Sequence, residues 1–150
     1  MSANRIWKPH ATVAAVIERD GRFLLVEEAI NGEIIYNQPA GHLEEGESLI
    51  AATVREVLEE TARHFTPEAV VGVYRWRNPH SGVTFLRIAL TGTCSEPEPD
   101  RTLDEGVLAA RWFTREQAAR LKLRAPMVLR CMDDYLAGAR HPLSLLVDLP

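Results

Sequence analysis

Gly41-His42-Leu43-Glu44-Glu45-Gly46-Glu47-Ser48-Leu49-Ile50-Ala51-Ala52-Thr53-Val54-Arg55-Glu56-Val57-Leu58-Glu59-Glu60 is the stretch of the 150-residue chain that says most about its fold. From Ser48 to about Thr61, the residues Ile50, Thr53, Val54, Val57 and Thr61 recur at the spacing of one helical face. At about 100° per residue, Glu56, Glu59 and Glu60 span an arc of about 100°, read as roughly opposite the Ile50/Val54/Val57 face. Glu56 and Glu60 are like charges at i, i+4, which repel by a few tenths of a kcal/mol on a bare helix. One reading of such a cluster is a solvated helix face. The other is a divalent cation that relieves the repulsion, since Mg²⁺ takes hard oxygen ligands from carboxylates, substrate phosphates and water. Gly41 lets the backbone turn tightly toward a charged ligand. Arg55, four residues before Glu59, can pair with it and fix its rotamer.

The flanking residues favour the cation. Gly41, Glu47, Arg55-Glu56-Val57 and Glu59-Glu60 fit the spacing G-x5-E-x7-R-E-U-x-E-E, with U a bulky apolar residue. This pattern resembles the Nudix box, a loop–helix–loop that holds catalytic metal against a pyrophosphate. The box ordinarily closes with x-G-U, whereas this chain has Thr61-Ala62-Arg63, which predicts an altered helix exit with His64 as a polar neighbour. Further segments resemble a bacterial phosphatase branch of the family: Trp7-Lys8-Pro9-His10, Val26-Glu27-Glu28, Ile30-Asn31-Gly32, Asn37 to Glu44 and Arg124-x-Pro126. The resemblance implies an α+β fold class, a Nudix-type α/β/α sandwich on a mixed β-sheet. It also implies Mg²⁺, or in its place Mn²⁺, bound by Glu56, Glu59 and Glu60, with the Ala40 carbonyl as a backbone ligand. Glu59 and Arg55 then belong to the catalytic set. Glu47 either supports the metal's waters or caps the positive end of the helix. A loop acid ahead of a late strand acts as the base in part of the family, and of Asp104 and Glu105 the choice here is Glu105.

The rest of the chain reads as strands and one more long helix. His10 to Ile17 and Arg22 to Glu27 are apolar runs separated by Asp20-Gly21, the signature of a β-hairpin. Asn31-Gly32 precedes Ile34-Ile35-Tyr36. Val70 to Arg77 and Val83 to Leu90 are strand-like, the Pro-rich acidic segment Ser95 to Pro99 is an exposed loop, and Leu108 to Phe113 is a last strand. Thr114 with Gln117 forms a capping-box signature for a short helix. Pro126 and Gly138 bracket a second long helix. Strands, helix, strands, helix is the order of a layered α+β sandwich.

Bulk properties narrow the classes. A chain of 150 residues, 46% hydrophobic and 25% charged, suits one globular domain spanning 1–150 and not two. It needs no disulfide or structural metal. Cys94 and Cys131 form no CxxC pair and read as small thiols in a reducing compartment. Met1 to Lys8 holds no apolar run of signal-peptide length, and no segment approaches a membrane span, which points to the cytoplasm and to no membrane partner. A net charge of −4 argues against nucleic acid as a partner but permits a small anion held through a metal. The expected state is a monomer or small homo-oligomer.

Substrate contacts are sought among Tyr36, Arg75, Trp76 and Arg87. Alternation puts Arg75 and Arg77 on one face of their strand and Tyr74 and Trp76 on the other. An arginine can grip phosphate bidentately and an aromatic can stack on a base, although a surface ion pair or a core aromatic accounts for each residue as simply. His10 and His42 read as structural histidines, and Asp133-Asp134 as a solvated face. For function, the resemblance implies a phosphohydrolase acting on nucleoside tri- and diphosphates and on thiamine-related pyrophosphates such as hydroxymethylpyrimidine pyrophosphate. A pyrophosphatase for nucleoside diphosphate sugars or dinucleoside polyphosphates is the alternative. A catalytically silent ligand-sensing domain is the second, disfavoured because every box glutamate is retained.

Overall fold

Thirteen residues without proline or glycine, Leu49–Thr61, form helix α1, which Ser48 opens by accepting a hydrogen bond from the Ala51 amide. The computed structural model describes residues 5–150, so the first four residues of the Met1–Lys8 segment lie outside the described residues. Around α1 run β1 (His10–Val16), β2 (Glu18–Arg19), β3 (Arg22–Ile30), β4 (Glu33–Asn37) and β5 (Ala40–His42) before it. After it come β6 (Phe65–Arg77), β7 (Thr84–Cys94), β8 (Val107–Phe113), the short α2 (Arg115–Ala118) and α3 (Met127–Leu136), with a 3₁₀ turn at Leu143–Leu145.

The strands make two sheets, ordered β5-β1-β7-β6 and β2-β3-β4, with β8 on the other edge of β3. β1 and β7 are parallel and their other neighbours antiparallel, so the architecture is mixed as expected. The hairpin at Asp20-Gly21 is real but short, and this corrects the sequence expectation. Both turn residues have positive φ (52° and 79°), and only Glu18–Arg19 folds back on Arg22–Phe23. The long run before it cannot pair with β3, because a strand has two edges and β1 gives one to β5 and the other to β7.

Adjacent residues of one strand feed opposite cores, as period-2 geometry requires. Ala15, Leu24, Val70, Ile88 and Leu90 pack with Val57 on the α1 side. Their neighbours Val16, Leu25, Val71 and Ala89 pack with Val128, Cys131 and Met132 on the α3 side. Helix, sheets, helix is therefore the layer order. Pro126 and Gly138 bracket α3 as the sequence predicts, and Thr114 and Gln117 form a complete capping box on α2. β6 starts five residues earlier than its apolar run suggested, and the strand carries register shifts at Pro67/Ala69 and Val70/Gly72.

Two expectations about α1 are corrected. Its glutamates do not lie opposite the core face. Glu56 and Glu60 are 8% and 7% exposed and flank the buried Thr53 and Val57. On the helical wheel Glu60 sits only about 20° from Thr53, so an acid-bearing arc next to the core is drawn in with it. Nor does Ala62 alter the exit of the helix. It adopts φ 62°, ψ 17°, the left-handed conformation that a glycine takes there, and its amide closes on the Leu58 carbonyl. Among the described residues, no helix is long and apolar enough to cross a membrane. Cys131 is buried and Cys94 half-buried, and neither is bridged.

Candidate active site

The site begins where β5 meets α1. Gly41, in β5, faces the Glu56 carboxylate so closely that a Cβ there would lie 2.1 Å from Oε1. Only glycine leaves that room. One residue earlier, the Ala40 amide donates to Glu60 Oε1 at 2.8 Å.

Arg55 ties loop to helix. Its Nε and Nη2 donate to Glu47 Oε2 (2.9 Å) and Oε1 (2.7 Å), a bidentate pair. Its Nη1 reaches Glu56 Oε1 at 2.8 Å and Glu59 Oε1 at 3.3 Å, while Nη2 also donates to the His42 carbonyl. The main partner of Arg55 is thus Glu47 rather than Glu59. Glu47 itself does not cap α1, a task that Ser48 performs. The Arg55 hydrogen bond holds the Glu47 carboxyl below its ordinary range, and Glu47 in turn raises Arg55 far above its own.

The carboxyl groups on the buried side are weakened as acids. Burial pushes Glu56 to about 7, against the opposing pull of Arg55. It pushes Glu60 to about 9, despite the Ala40 hydrogen bond. Asp104 is raised as well, first by burial and then by the charge of Glu59. Carboxylates of Glu56, Glu59 and Asp104 each place an oxygen within 4.8 Å of the others. Three hard oxygen donors at that spacing, costly to ionise together, suit a hard divalent cation such as Mg²⁺ or Mn²⁺.

Asp104, and not the neighbouring Glu105, is the loop acid that joins this carboxylate group. Its amide donates to the Glu59 carbonyl at 3.0 Å, and its carbonyl accepts from Val107, closing a tight turn through Gly106 (φ 87°). That turn carries Glu105 outward to solvent. Glu60 lies outside the three-carboxylate group and faces the neighbouring cavity instead.

That cavity, of about 200 Å³, opens beside Ala40, Gly41 and Glu60. Its walls are Trp76 and Phe85, stacked at 6.1 Å and 19°, with Met127 and Ala125; its polar groups include Glu28, Asn37, His42, Asn78, Arg87 and Arg124. Trp76 and Arg87 are therefore at the cavity, and Tyr36 and Arg75 are not. Tyr36 points to the other face of β4 from Asn37 and packs edge-on against Phe113 at 5.4 Å. Arg75 is on the outward face of β6, exposed, beside a shallow groove. Asp104 is the loop acid that the sequence offered beside Glu105, whereas Glu28, Asn37 and Phe85 are site residues that the sequence did not single out by position. Asn37 and Glu28 fall in segments already singled out, and strand parity next to Tyr36 was the unused signal for Asn37. His10 Nδ1 and His42 Nε2 satisfy each other at 2.9 Å. Asp133 and Asp134 are not a bare solvated face, being engaged by Arg115 and by Tyr74 with Arg130.

Comparison with known proteins agrees with this geometry. Residues 8–132 match the family described as the NUDIX domain. Phosphatase NudJ of Escherichia coli (strain K12) is 37% identical over 144 residues, covering 95% of this chain and 94% of the relative. The NudJ phosphatase of Shigella sonnei (strain Ss046) matches to the same extent. A NUDIX hydrolase structure from Nitrosomonas europaea superposes with a TM-score of 0.89 at 48% identity, covering 95% of this chain and 98% of that one. The NUDIX domain of Shewanella oneidensis NrtR, solved with ADP ribose, shares the fold with a TM-score of 0.71 at 18% identity, over 88% of this chain and 89% of that one. A box-bearing helix set against a glycine loop, within a family match over most of its length, makes this chain a member of the Nudix hydrolase family.

Proposed function

We propose that this chain is a divalent-cation-dependent phosphohydrolase of the NudJ type, working on nucleoside tri- and diphosphates and on hydroxymethylpyrimidine pyrophosphate. The observation that carries the reading is the Glu56–Glu59–Asp104 carboxylate group beside a cavity of ring size. Mg²⁺ or Mn²⁺, when bound there, supplies positive charge to the bridging and terminal phosphate oxygens. Glu56 and Glu59 hold it from the helix and Asp104 from the loop, with Glu60 and the Ala40 backbone beside them. Arg55 keeps the glutamates in their rotamers. Asp104 and Glu59 are the groups set to take a proton from the attacking water, because both reach the shared centre and neither is locked in a short ion pair. Trp76 offers a face on which the organic part of the substrate stacks. We also propose that residues 1–150 act as one domain, a cytoplasmic monomer or small homo-oligomer.

The test is product analysis with hydroxymethylpyrimidine pyrophosphate, CTP and ADP-ribose, each with Mg²⁺ and with chelator. Release of inorganic phosphate from the first two, abolished by chelator, supports the proposal. Nucleoside monophosphate from ADP-ribose alone favours a nucleoside diphosphate sugar pyrophosphatase. No turnover of any of them favours a ligand-sensing domain. Glu59→Gln should lower turnover about 100-fold or more without unfolding the protein. Near-wild-type turnover in that variant removes Glu59 from the mechanism.

A further inference from the structure

Arg87 sits at the base of the cavity at only 3% exposure, yet its hydrogen bonds go to neutral amides. Nη1 donates to Gln38 Oε1 at 2.7 Å and Nη2 to Asn37 Oδ1 at 3.0 Å. Its Nε is buried with no partner among the described residues. A buried cation held in this way is costly, so the arrangement asks what it achieves.

A guanidinium only donates, so both amides must turn their oxygens toward it. Gln38 is thereby complete, because its Nε2 donates to the Val128 carbonyl at 2.8 Å and the residue is 1% exposed. Asn37 is not. Its oxygen is taken by Arg87, it lines the cavity, and among the described residues no protein acceptor receives its amide N–H. The flip of this amide is therefore fixed, and a donor is left over in a cavity walled by Trp76 and Phe85.

Resting on the phosphohydrolase reading above, we propose that Asn37 is a specificity-determining residue: its amide N–H, aimed by the buried Arg87, donates to a ring nitrogen or ring carbonyl of a nitrogen-heterocycle substrate. Arg87 is the positioning residue. It does not touch the substrate, and it prevents the amide from rotating to present oxygen instead. The cavity thus selects substrates that pair an anionic phosphate tail with an acceptor-bearing flat ring, and it has no such donor contact to offer a ring-free polyphosphate.

Asn37→Asp separates this role from a structural one. An aspartate keeps the shape and strengthens the hydrogen bond to Arg87, but it has no N–H to give. With CTP, KM should rise about tenfold while kcat changes by less than about threefold, as loss of one ground-state hydrogen bond requires. The loss on tripolyphosphate should be clearly smaller than the loss on CTP, and the melting temperature should hold or rise. An unchanged KM for CTP, or an equal loss on CTP and tripolyphosphate, overturns the proposal. Should the wild-type protein hydrolyse neither of these compounds nor hydroxymethylpyrimidine pyrophosphate, the phosphohydrolase reading fails on its own. CTP binding, followed by quenching of the tryptophan fluorescence over a CTP titration, then tests Asn37 independently, and equal affinity in wild type and Asn37→Asp overturns its role. Asn37→Ala, which strips Arg87 of one acceptor, is the second variant and should lose both CTP affinity and thermal stability.

Discussion

Replacing Gly41 by alanine tests whether the position of the Glu56 carboxylate, rather than its mere presence, matters. The added methyl would lie 2.1 Å from Glu56 Oε1 and 2.2 Å from its Cδ, whereas ordinary contact begins at 3.4 Å. The carboxylate must therefore retreat by about 1.3 Å, the difference between 3.4 and 2.1 Å. Such a shift breaks the 2.8 Å hydrogen bond from Arg55 and opens the group of oxygens now within 4.8 Å of one another. Mg²⁺ tolerates little departure from bond lengths of about 2.0–2.1 Å, and a displacement of about 1 Å in a reacting constellation costs about 100-fold. The expected result is a loss of about 100-fold in kcat/KM, with half-maximal activity reached only at higher Mg²⁺. Stability should behave differently. Gly41 is not among the residues with positive φ, and the clash is with a flexible side-chain end, so the backbone accepts alanine. The melting temperature should move by no more than about 4 °C, the equivalent of about 1 kcal/mol in a chain of this size. Initial rates over an Mg²⁺ series, paired with thermal melts, measure both quantities. A variant with wild-type rates and an unchanged Mg²⁺ response would refute the reasoning, because the carboxylate would then work from somewhere else.

Three further expectations follow from named contacts. Asp104→Asn should lower kcat at least about tenfold while Glu105→Gln stays within about twofold, and steady-state rates showing the reverse order would restore Glu105 to the site. Glu47, whose folded-state acidity is strengthened by Arg55, contributes stability that is present above the ordinary carboxylate range and lost as pH falls through it. The melting-temperature gap between wild type and Glu47→Gln should accordingly shrink as pH drops from 7 toward 3, and a gap independent of pH contradicts the ion pair. Ala62→Gly relieves a left-handed alanine and should stabilise by about 1 kcal/mol, read as a rise of a few degrees in a thermal melt; a fall would mean that the buried Ala62 methyl is worth more than the strain.

Much of this site was readable from residue order because it is local. The distance from Gly41 to Glu60 is fixed by one loop and one helix, so spacing alone puts Gly41, Glu47, Arg55, Glu56 and Glu59 together. Helix ends were equally legible, since Thr114, Gln117, Pro126 and Gly138 act within a turn of their own position. What failed was non-local. Choosing between two sheets for His10–Val16 depends on β7, more than seventy residues away. Parity correctly divided Tyr74 and Trp76 from Arg75 and Arg77, yet it does not say which face meets a cavity, and at β4 that ambiguity favoured Tyr36 over Asn37. Burial of Glu56 and Glu60 was also hidden, because it follows from the close approach of β5. The choice of Glu105 over Asp104 turned on a single tight turn whose geometry composition does not encode.

The hydrogen bonds that moor the β7–β8 connection have a bearing on how this scaffold can diverge. Glu98 donates its amide to Ala62 and Asp104 to Glu59, so the chain is stapled to the end of α1 at two points. Pro99 to Leu103 bridges those staples along the surface. An insertion there costs little, about 0.6 kcal/mol for each doubling of loop length, and it leaves the downstream aspartate in register with the helix. Evolution or an engineer can thus graft new recognition elements onto this bridge without disturbing the carboxylate it precedes.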